Sequence, residues 1–353
     1  MLMISADVLA LSSEAAVLVC NGRIQYANSA AKTILGEGCI GSTVRSVLGV
    51  EIAETQAASF IGDLPIGGVR YIIRVTSMES VRAVFLTKHE ESAALINDAL
   101  IYSLRNCLMG LGVTTEMLRN RAEEAGDAEL LAGLASVTHD YYKINRMLSN
   151  VTLIRSISDG SLFFVPRPTD LAALLRQLAD TVNLISDGPR VVYTGPEELS
   201  VSIDPALAEN LVLNLISNCL THAVGCTRIS LRLIEIRERI VISVNDDGCG
   251  IAPEKLHFVF DRYRHGFGIS DIDHGAGLGL TAALAIANLH GGTLLLESRE
   301  NIGTTVRASF SREPVPSQQL YAAQEEPERG MRSLLTGLAD CLPDRCFSEK
   351  YTE

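Results

Sequence analysis

Two short glycine-rich stretches constrain this chain more than any other feature: Val244-Asn245-Asp246-Asp247-Gly248-Cys249-Gly250-Ile251 and Gly275-Ala276-Gly277-Leu278-Gly279-Leu280. Glycine pairs occur wherever a tight turn is needed, so either stretch alone says little. The first follows an alternating run, Arg239 to Val244, that reads as a strand, and it presents a carboxylate followed by two positions without a Cβ. The second opens into an apolar helical run from Leu280 to Leu289, which sets its amide groups at a helix N-terminus, where phosphates are favoured. The pairing reads as a nucleotide pocket.

A third element lies upstream. Asp204 and Pro205 form a helix start, and the helix runs through Leu211, Leu215, Asn218 and His222. Asn214 and Asn218, one turn apart, share a face beside the apolar stripe of Leu213, Ile216 and Leu220. An amide oxygen suits a Mg2+ ion that keeps several waters and bridges to phosphates, and two Asn on one face equally suit the edge of a buried helix.

In order, Asn214-Leu215-Ile216-Ser217-Asn218, Asp246-Asp247-Gly248-Cys249-Gly250-Ile251, Val259-Phe260-Asp261-Arg262-Tyr263 and Gly275-Ala276-Gly277-Leu278-Gly279-Leu280 resemble the N, G1, F and G2 boxes of sensor histidine kinases. Their superfamily also holds gyrase, mismatch-repair and heat-shock ATPases. The resemblance covers roughly residues 160 to 312. It implies that ATP and Mg2+ are the ligands, that Asn218 carries the Mg2+, that Asp246 accepts the adenine amino group, and that the segment between Phe260 and Gly275 is a lid over the phosphates. Gly248, Gly250, Phe260, Arg262, Gly275, Gly277, Leu278, Gly279 and Leu280 complete the implied nucleotide set. Arg262, Arg264 and His265 flank the lid, either as phosphate contacts or as solvated loop charges. Thr221 stands where many relatives carry a Lys that reaches a phosphate, which points to weaker nucleotide binding.

The expected fold is α+β, in four parts. Residues 1–89 resemble a PAS domain. A strand, Ala16 to Cys20, turns at Asn21-Gly22 into a return strand, Arg23 to Ala27. Asn28 then caps a helix from Ser29 to Leu35 that Gly36 closes, and strands Val69 to Thr76 and Arg82 to Thr87 complete the unit. Residues 90–158 read as a helical hairpin. Leu130, Leu134, Val137, Tyr141, Ile144, Leu148 and Val151 alternate spacings of four and three, and Ile101, Leu104, Leu108 and Leu111 answer them. Two such hairpins would make a four-helix bundle, so a homodimer is expected. Residues 159–312 hold the α/β-sandwich ATP-binding domain, entered through a stiff linker, Pro166 to Thr169, with Thr169 capping a helix from Asp170 to Ile185. Residues 313–353 form a linker marked by Pro314, Pro316 and Glu325-Glu326. A short apolar helix with Leu334, Leu335, Leu338 and Cys341 on one face follows, either a docking arm or a helix packed on its own domain.

The hairpin resembles the dimerisation and phosphotransfer domain of histidine kinases, with one departure. Where those kinases carry His-Glu-Leu-Arg-x-Pro-Leu, this chain has Tyr102-Ser103-Leu104-Arg105-Asn106-Cys107-Leu108. The phosphoacceptor position is therefore Tyr102, and the acidic neighbour has become Ser103. An imidazole nitrogen is a competent nucleophile near neutral pH, whereas a phenol is mostly protonated and needs a base. Of the other histidines, His139 reads as an exposed helical residue, and His290-Gly291-Gly292 as a helix stop. A gyrase-like hydrolase would place a carboxylate base one turn before the Mg2+ ligand, where this chain has Asn214, so steady ATP hydrolysis is not expected.

With 353 residues, 47% of them hydrophobic, the chain has ample core, and a net charge of -12 argues against direct nucleic-acid binding. No run of about 18 uncharged apolar residues suggests a membrane span, and the first residues, with Asp7 in the apolar run and no Lys or Arg before Arg23, do not have the pattern of a signal peptide. Eight cysteines without a Cys-x-x-Cys pair fit reduced thiols in the cytoplasm. The resulting expectation is a cytoplasmic signalling protein of the two-component class, whose partners are a second copy and a response regulator or another signalling protein. Two alternatives stand beside it: a pseudokinase or scaffold in which ATP only biases the dimer, and a protein-serine kinase of the anti-sigma-factor type, against which the long hairpin argues.

Overall fold

The computed structural model describes residues 14–48, 59–78, 81–88, 98–158, 160–252, 278–313 and 331–347. Its N-terminal part is built on local turn chemistry. Strand β1 (Ala15–Cys20) turns through Asn21 and Gly22, whose φ angles of 50° and 70° give the two-residue hairpin that Asn-Gly favours, into β2 (Arg23–Ala27). Asn28 then does two jobs. Its Oδ1 accepts from Ala31 N at 2.9 Å, capping helix α1 (Ser29–Leu35), and from Ala16 N at 3.0 Å, tying the cap to β1. A short helix α2 (Val44–Val47) and strands β3 (Ser59–Ile66), β4 (Val69–Met78) and β5 (Val81–Lys88) complete the unit, in the order β2-β1-β5-β4-β3. Val17, Ile24, Ala31, Ile73 and Val84 form its core. Strand β3 was not anticipated, because Gly62 and Pro65 interrupt its alternation.

Helices α3 (Asp98–Ala125) and α4 (Ala128–Ser158) form the antiparallel hairpin, turning at Gly126 with φ 66°. Ile101, Leu108 and Leu148 pack between them with Tyr141 and Val151, and Arg119 Nη2 donates to Thr138 Oγ1 at 3.0 Å. The expected seam therefore divides into two faces. Ile101, Leu108, Leu134 and Leu148 are buried, whereas Leu104, Leu111, Leu130, Val137 and Ile144 stay 43–50% exposed. His139, expected to be exposed, is buried at 8% because the C-terminal residues cover it.

The expected linker at Pro166 to Thr169 is instead a strand. β6 (Arg167–Asp170) pairs antiparallel with β8 (Ser200–Ile203). The cap of helix α5 (Leu171–Ile185) is Asp170 rather than Thr169: its Oδ1 accepts from Ala172, Ala173 and Leu199 N, while the Thr169 hydroxyl turns back to Arg167 O. Strand β7 (Arg190–Thr194), helix α6 (Pro205–His222), strands β9 (Arg228–Ile236) and β10 (Arg239–Asp246), helix α7 (Leu278–Leu289) and strands β11 (Leu294–Arg299) and β12 (Gly303–Ser311) follow. Their sheet runs β11-β12-β10-β9-β7, antiparallel except for β7 against β9. Leu171, Leu175, Leu211, Ile216, Ile242 and Phe310 join the helices to it as one core.

Of two long-range features, the first was not legible beforehand and the second was left open between two readings. Strand β3 pairs antiparallel with β11, Gly62 opposite Leu295, so the two sheets form one sheet of ten strands. A Cβ at Gly62 would come within 2.2 Å of Leu295 Cδ2, which explains the glycine at this crossing. The chain end, helix α8 (Met331–Gly337) and a 3-10 turn (Asp344–Phe347), is packed back rather than extended, with Leu334, Leu335, Leu338 and Phe347 buried in the main core. Pro314, Pro316, Glu325 and Glu326 lie outside the described residues. Among the described residues no helix is long and apolar enough to cross a membrane.

Candidate functional site

Helix α6 starts where Asp204 Oδ1 accepts from Ala206 N and Leu207 N, with Pro205 in the first turn. That start is itself fixed: Asp204 N donates to His290 Nε2 at 3.1 Å, while His290 Nδ1 donates to Ile286 O at 2.9 Å. His290 is therefore a neutral structural group at the end of α7, 2% exposed and stacked on Phe310; burial lowers its pKa.

Because α6 buries Leu211, Val212, Leu215 and Ile216, Asn214 and Asn218 face different neighbours. Asn214 is 3% exposed. Its Oδ1 accepts from Arg146 Nη2 and Asn150 Nδ2 of α4, both at 3.2 Å, and its Nδ2 donates to Asn210 Oδ1 at 2.8 Å. These bonds use the side chain as a joint between helices. Asn218, one turn on, is half-buried and has no hydrogen-bond partner among the described residues.

Asp246 ends β10, between β9 and β12, and is 4% exposed. Its Oδ1 accepts from Gly248 N at 3.0 Å and Thr304 N at 3.2 Å. Cys219 of α6 lies against the same carboxylate, and burial followed by the Asp246 charge pushes its thiol pKa well up. Asp247 points the other way. It accepts from Thr227 N, Thr227 Oγ1 and Arg228 N, bonds that hold its carboxyl far below the usual range. Of two adjacent aspartates, one is turned inward and one secures the surface loop.

The glycines between these groups are required by close approach. A Cβ at Gly248 would stand 2.6 Å from Ala223 Cβ at the end of α6. One at Gly250, where φ is 63°, would stand 2.1 Å from Arg299 O. The loop is bound on both sides: Cys249 N donates to Val224 O, Asn301 N to Cys249 O, and Ile251 N to Ser298 Oγ. Gly303, Thr304 and Ser298 were missed as site residues. The Gly303-Thr304 pair at the start of a strand was the available signal, and its meaning depends on β12 lying beside β10.

The described part of helix α7 opens at Leu278, two residues ahead of the expected Leu280, and includes Leu278, Gly279 and Leu280. Leu278 and Leu280 are buried. A Cβ at Gly279 would lie 3.0 Å from Asn214 Oδ1, so the glycine stretch ends against the asparagine helix. Phe260, Arg262, Arg264, His265, Gly275 and Gly277 lie outside the described residues. Tyr102 stands apart on α3, 69% exposed and with no hydrogen bond to these groups among the described residues. No group of three His, Cys, Asp or Glu side chains that could hold a metal occurs among the described residues.

Residues 203–314 match the family model described as histidine kinase-, DNA gyrase B- and HSP90-like ATPase, a span that opens beside the Asp204 cap and contains Asn218, Asp246 and α7. This segment is a histidine kinase-type ATPase domain. The chain is 26% identical over 250 residues to the signal transduction histidine-protein kinase AfsQ2 of Streptomyces coelicolor, covering 67% of this chain and 45% of that protein. It is 34% identical over 154 residues to the histidine protein kinase DivJ of Caulobacter vibrioides, covering 44% and 25%. The sensor histidine kinase YvrG of Bacillus subtilis is 27% identical over 173 residues, or 48% and 30%. The chain thus spans less than half the length of these relatives. Full-length ShkA, solved in complex with AMPPNP, shares the fold at a TM-score of 0.50 and 19% identity, over 62% of this chain and 46% of that one.

The ATPase domain fits the ligands expected of it. A buried carboxylate is pinned on one oxygen by two N–H donors, an amide side chain on α6 is left without a partner among the described residues, and Gly279 of α7 lies against the same helix. Such a set can hold a purine amino group, a hydrated divalent cation and phosphates at separate points.

Proposed function

We propose that this chain is a signalling protein of the two-component type that binds ATP and Mg2+ in its ATPase domain. The observation that carries the reading is the Asp246 carboxylate, held at the wall between α6 and β12 by Gly248 N and Thr304 N. In this assignment Asp246 accepts from the adenine amino group and Asn218 holds the Mg2+. Leu278, Gly279 and Leu280, together with Gly275 and Gly277, take the phosphates, and Phe260 and Arg262 belong to the lid. ATP supplies the phosphoryl group, and the cation offsets its charge. Asn214, spent on Arg146 and Asn150, acts as a positioning residue rather than as a base.

The exposed hairpin face, Leu104, Leu111, Leu130, Val137 and Ile144, supports a homodimer through a four-helix bundle, with a response regulator or another signalling protein as the further partner. A second reading, the nucleotide-gated pseudokinase, is favoured by Tyr102. Its phenol is exposed, and its neighbour Ser103 offers no carboxylate to take the proton.

Incubation of the purified protein with γ-labelled ATP and Mg2+, followed by mapping of the label and a test of its acid stability, separates these readings. Label on Tyr102 or on an added regulator makes the protein a kinase. Bound ATP without label makes it a pseudokinase.

A further inference from the structure

The C-terminal residues touch three helices at once. On α6, Ser333 Oγ donates to Glu209 Oε1 at 2.8 Å, and a Cβ at Gly337 would meet Leu213 at 2.9 Å. Beside α5, Cys346 Sγ donates to Ile185 O, and Arg345 pairs with Asp187. On the hairpin helix α4, Phe347 stacks on His139 with ring centroids 4.5 Å apart and planes 14° from parallel. His139 Nδ1 lies 2.5 Å from Asp344 Oδ1, and its Nε2 lies 2.6 Å from Ala339 O. About two turns further on, Arg146 pairs with Asp340 through Nη1 while Nη2 reaches Asn214.

These contacts follow a pattern. The apolar side chains of the segment, Leu334, Leu335, Leu338 and Leu342, are buried in the core of the ATPase domain, whereas its acidic side chains, Asp340 and Asp344, reach the hairpin. The segment thus packs on the ATPase domain through its leucines and meets the hairpin through Phe347 and its two carboxylates. Arg146 completes the link, because the guanidinium that meets Asp340 also holds Asn214 of α6.

We propose that residues 331–347 are a strap that locks the ATPase domain onto α4 in one fixed setting, with His139 and Arg146 as its two anchor points. While the strap is fastened, α6 and α7 are held against the hairpin. When Asp340 and Asp344 let go, the ATPase domain gains freedom to move relative to the helices that carry Tyr102. This inference concerns the coupling of the two units and does not depend on which ligand the pocket takes.

Amide hydrogen exchange of the full chain tests it without nucleotide, so that its outcome is separate from that of the pocket assignment. The variant Asp340→Asn/Asp344→Asn removes two half-exposed carboxylates and leaves the apolar contacts in place. A second variant, Leu338→Asp, detaches the segment from its apolar side. Exchange in 136–150 of α4 and 210–217 of α6 rises about tenfold in both variants, while β10 and β12 keep their protection as the internal reference. Faster exchange confined to 331–347, with α4 and α6 unchanged, overturns the proposal. So does a segment that stays protected in both variants.

Discussion

Arg146 Nη2 donates to Asn214 Oδ1 at 3.2 Å, and this bond joins the second hairpin helix to the helix that carries the proposed Mg2+ ligand. It fixes what Asn214 does. The side chain that occupies the place of a hydrolytic base is 3% exposed and turned to α4. Asn214→Ala is therefore expected to lower stability by about 1–3 kcal/mol, since it leaves Arg146 and Asn150 short of a buried acceptor. Nucleotide affinity stays the same. Chemical denaturation and an ATP titration of the same variant check both halves, and lost affinity at unchanged stability would speak for a role in the pocket.

Gly250 is held by geometry rather than by chemistry. With φ at 63° and Arg299 O 2.1 Å from the position of a Cβ, Gly250→Ala forces the loop after Asp246 to shift, at a cost above about 1 kcal/mol. The melting temperature falls and ATP binding weakens with it. Gly110→Ala, in open space on α3, serves as the contrast and is expected to stabilise the helix by about 0.8–1 kcal/mol.

His290 gives the protein a defined pH response. Burial, the largest influence, lowers its pKa, while its bond to Ile286 O and the charge of Asp204 act in the opposite sense. The unfolded chain, with a His pKa of about 6.5, then binds the proton more readily than the folded one. The contribution is complete above that value and is lost as pH falls through it toward the lowered folded pKa. Thermal melts between pH 8 and 5 are expected to show this decline, and His290→Gln to flatten it. Equal slopes for the two proteins would contradict the assignment.

The exposed hairpin face makes a prediction about assembly. Leu111→Glu with Ile144→Glu places charges on a stripe that is half exposed in the single chain and leaves Ile101, Leu108 and Leu148 between the helices untouched. The wild type is expected to behave as a dimer and the variant as a monomer with unchanged helicity, measured by light scattering and circular dichroism. A wild-type monomer removes the bundle from the account.

Much of the architecture was legible because it rests on local rules. Asn21-Gly22 turns, Asn28 caps, and Asp204-Pro205 starts α6 within a few residues of chain, and each stands as the sequence implies. The joint at Gly62 and Leu295 was not legible, since it depends on two surfaces 233 positions apart meeting edge to edge. His139 looked exposed for the same reason: its helical period says nothing of Phe347, which covers it. Asp170 was passed over as a cap because Thr169, beside it, is an equally good cap by type; only the pairing of β6 with β8 takes Thr169 into a strand. In the site, Asp246 and the Leu278-Gly279-Leu280 stretch were visible as motifs, while Thr304 gains its role only from the register that sets Thr305 opposite Asn245.

The central claim is that Asp246 is the nucleotide-reading carboxylate of the ATPase domain, and calorimetric titration of the full chain with ATP and Mg2+ tests it most directly. Asp247→Asn provides the neighbouring control, since Asp247 faces Thr227 and Arg228 rather than the pocket. The account predicts that Asp246→Asn weakens ATP binding by about tenfold to a hundredfold, as loss of a hydrogen bond to a charged group implies, while Asp247→Asn binds as the wild type does. Unchanged affinity in Asp246→Asn would contradict it.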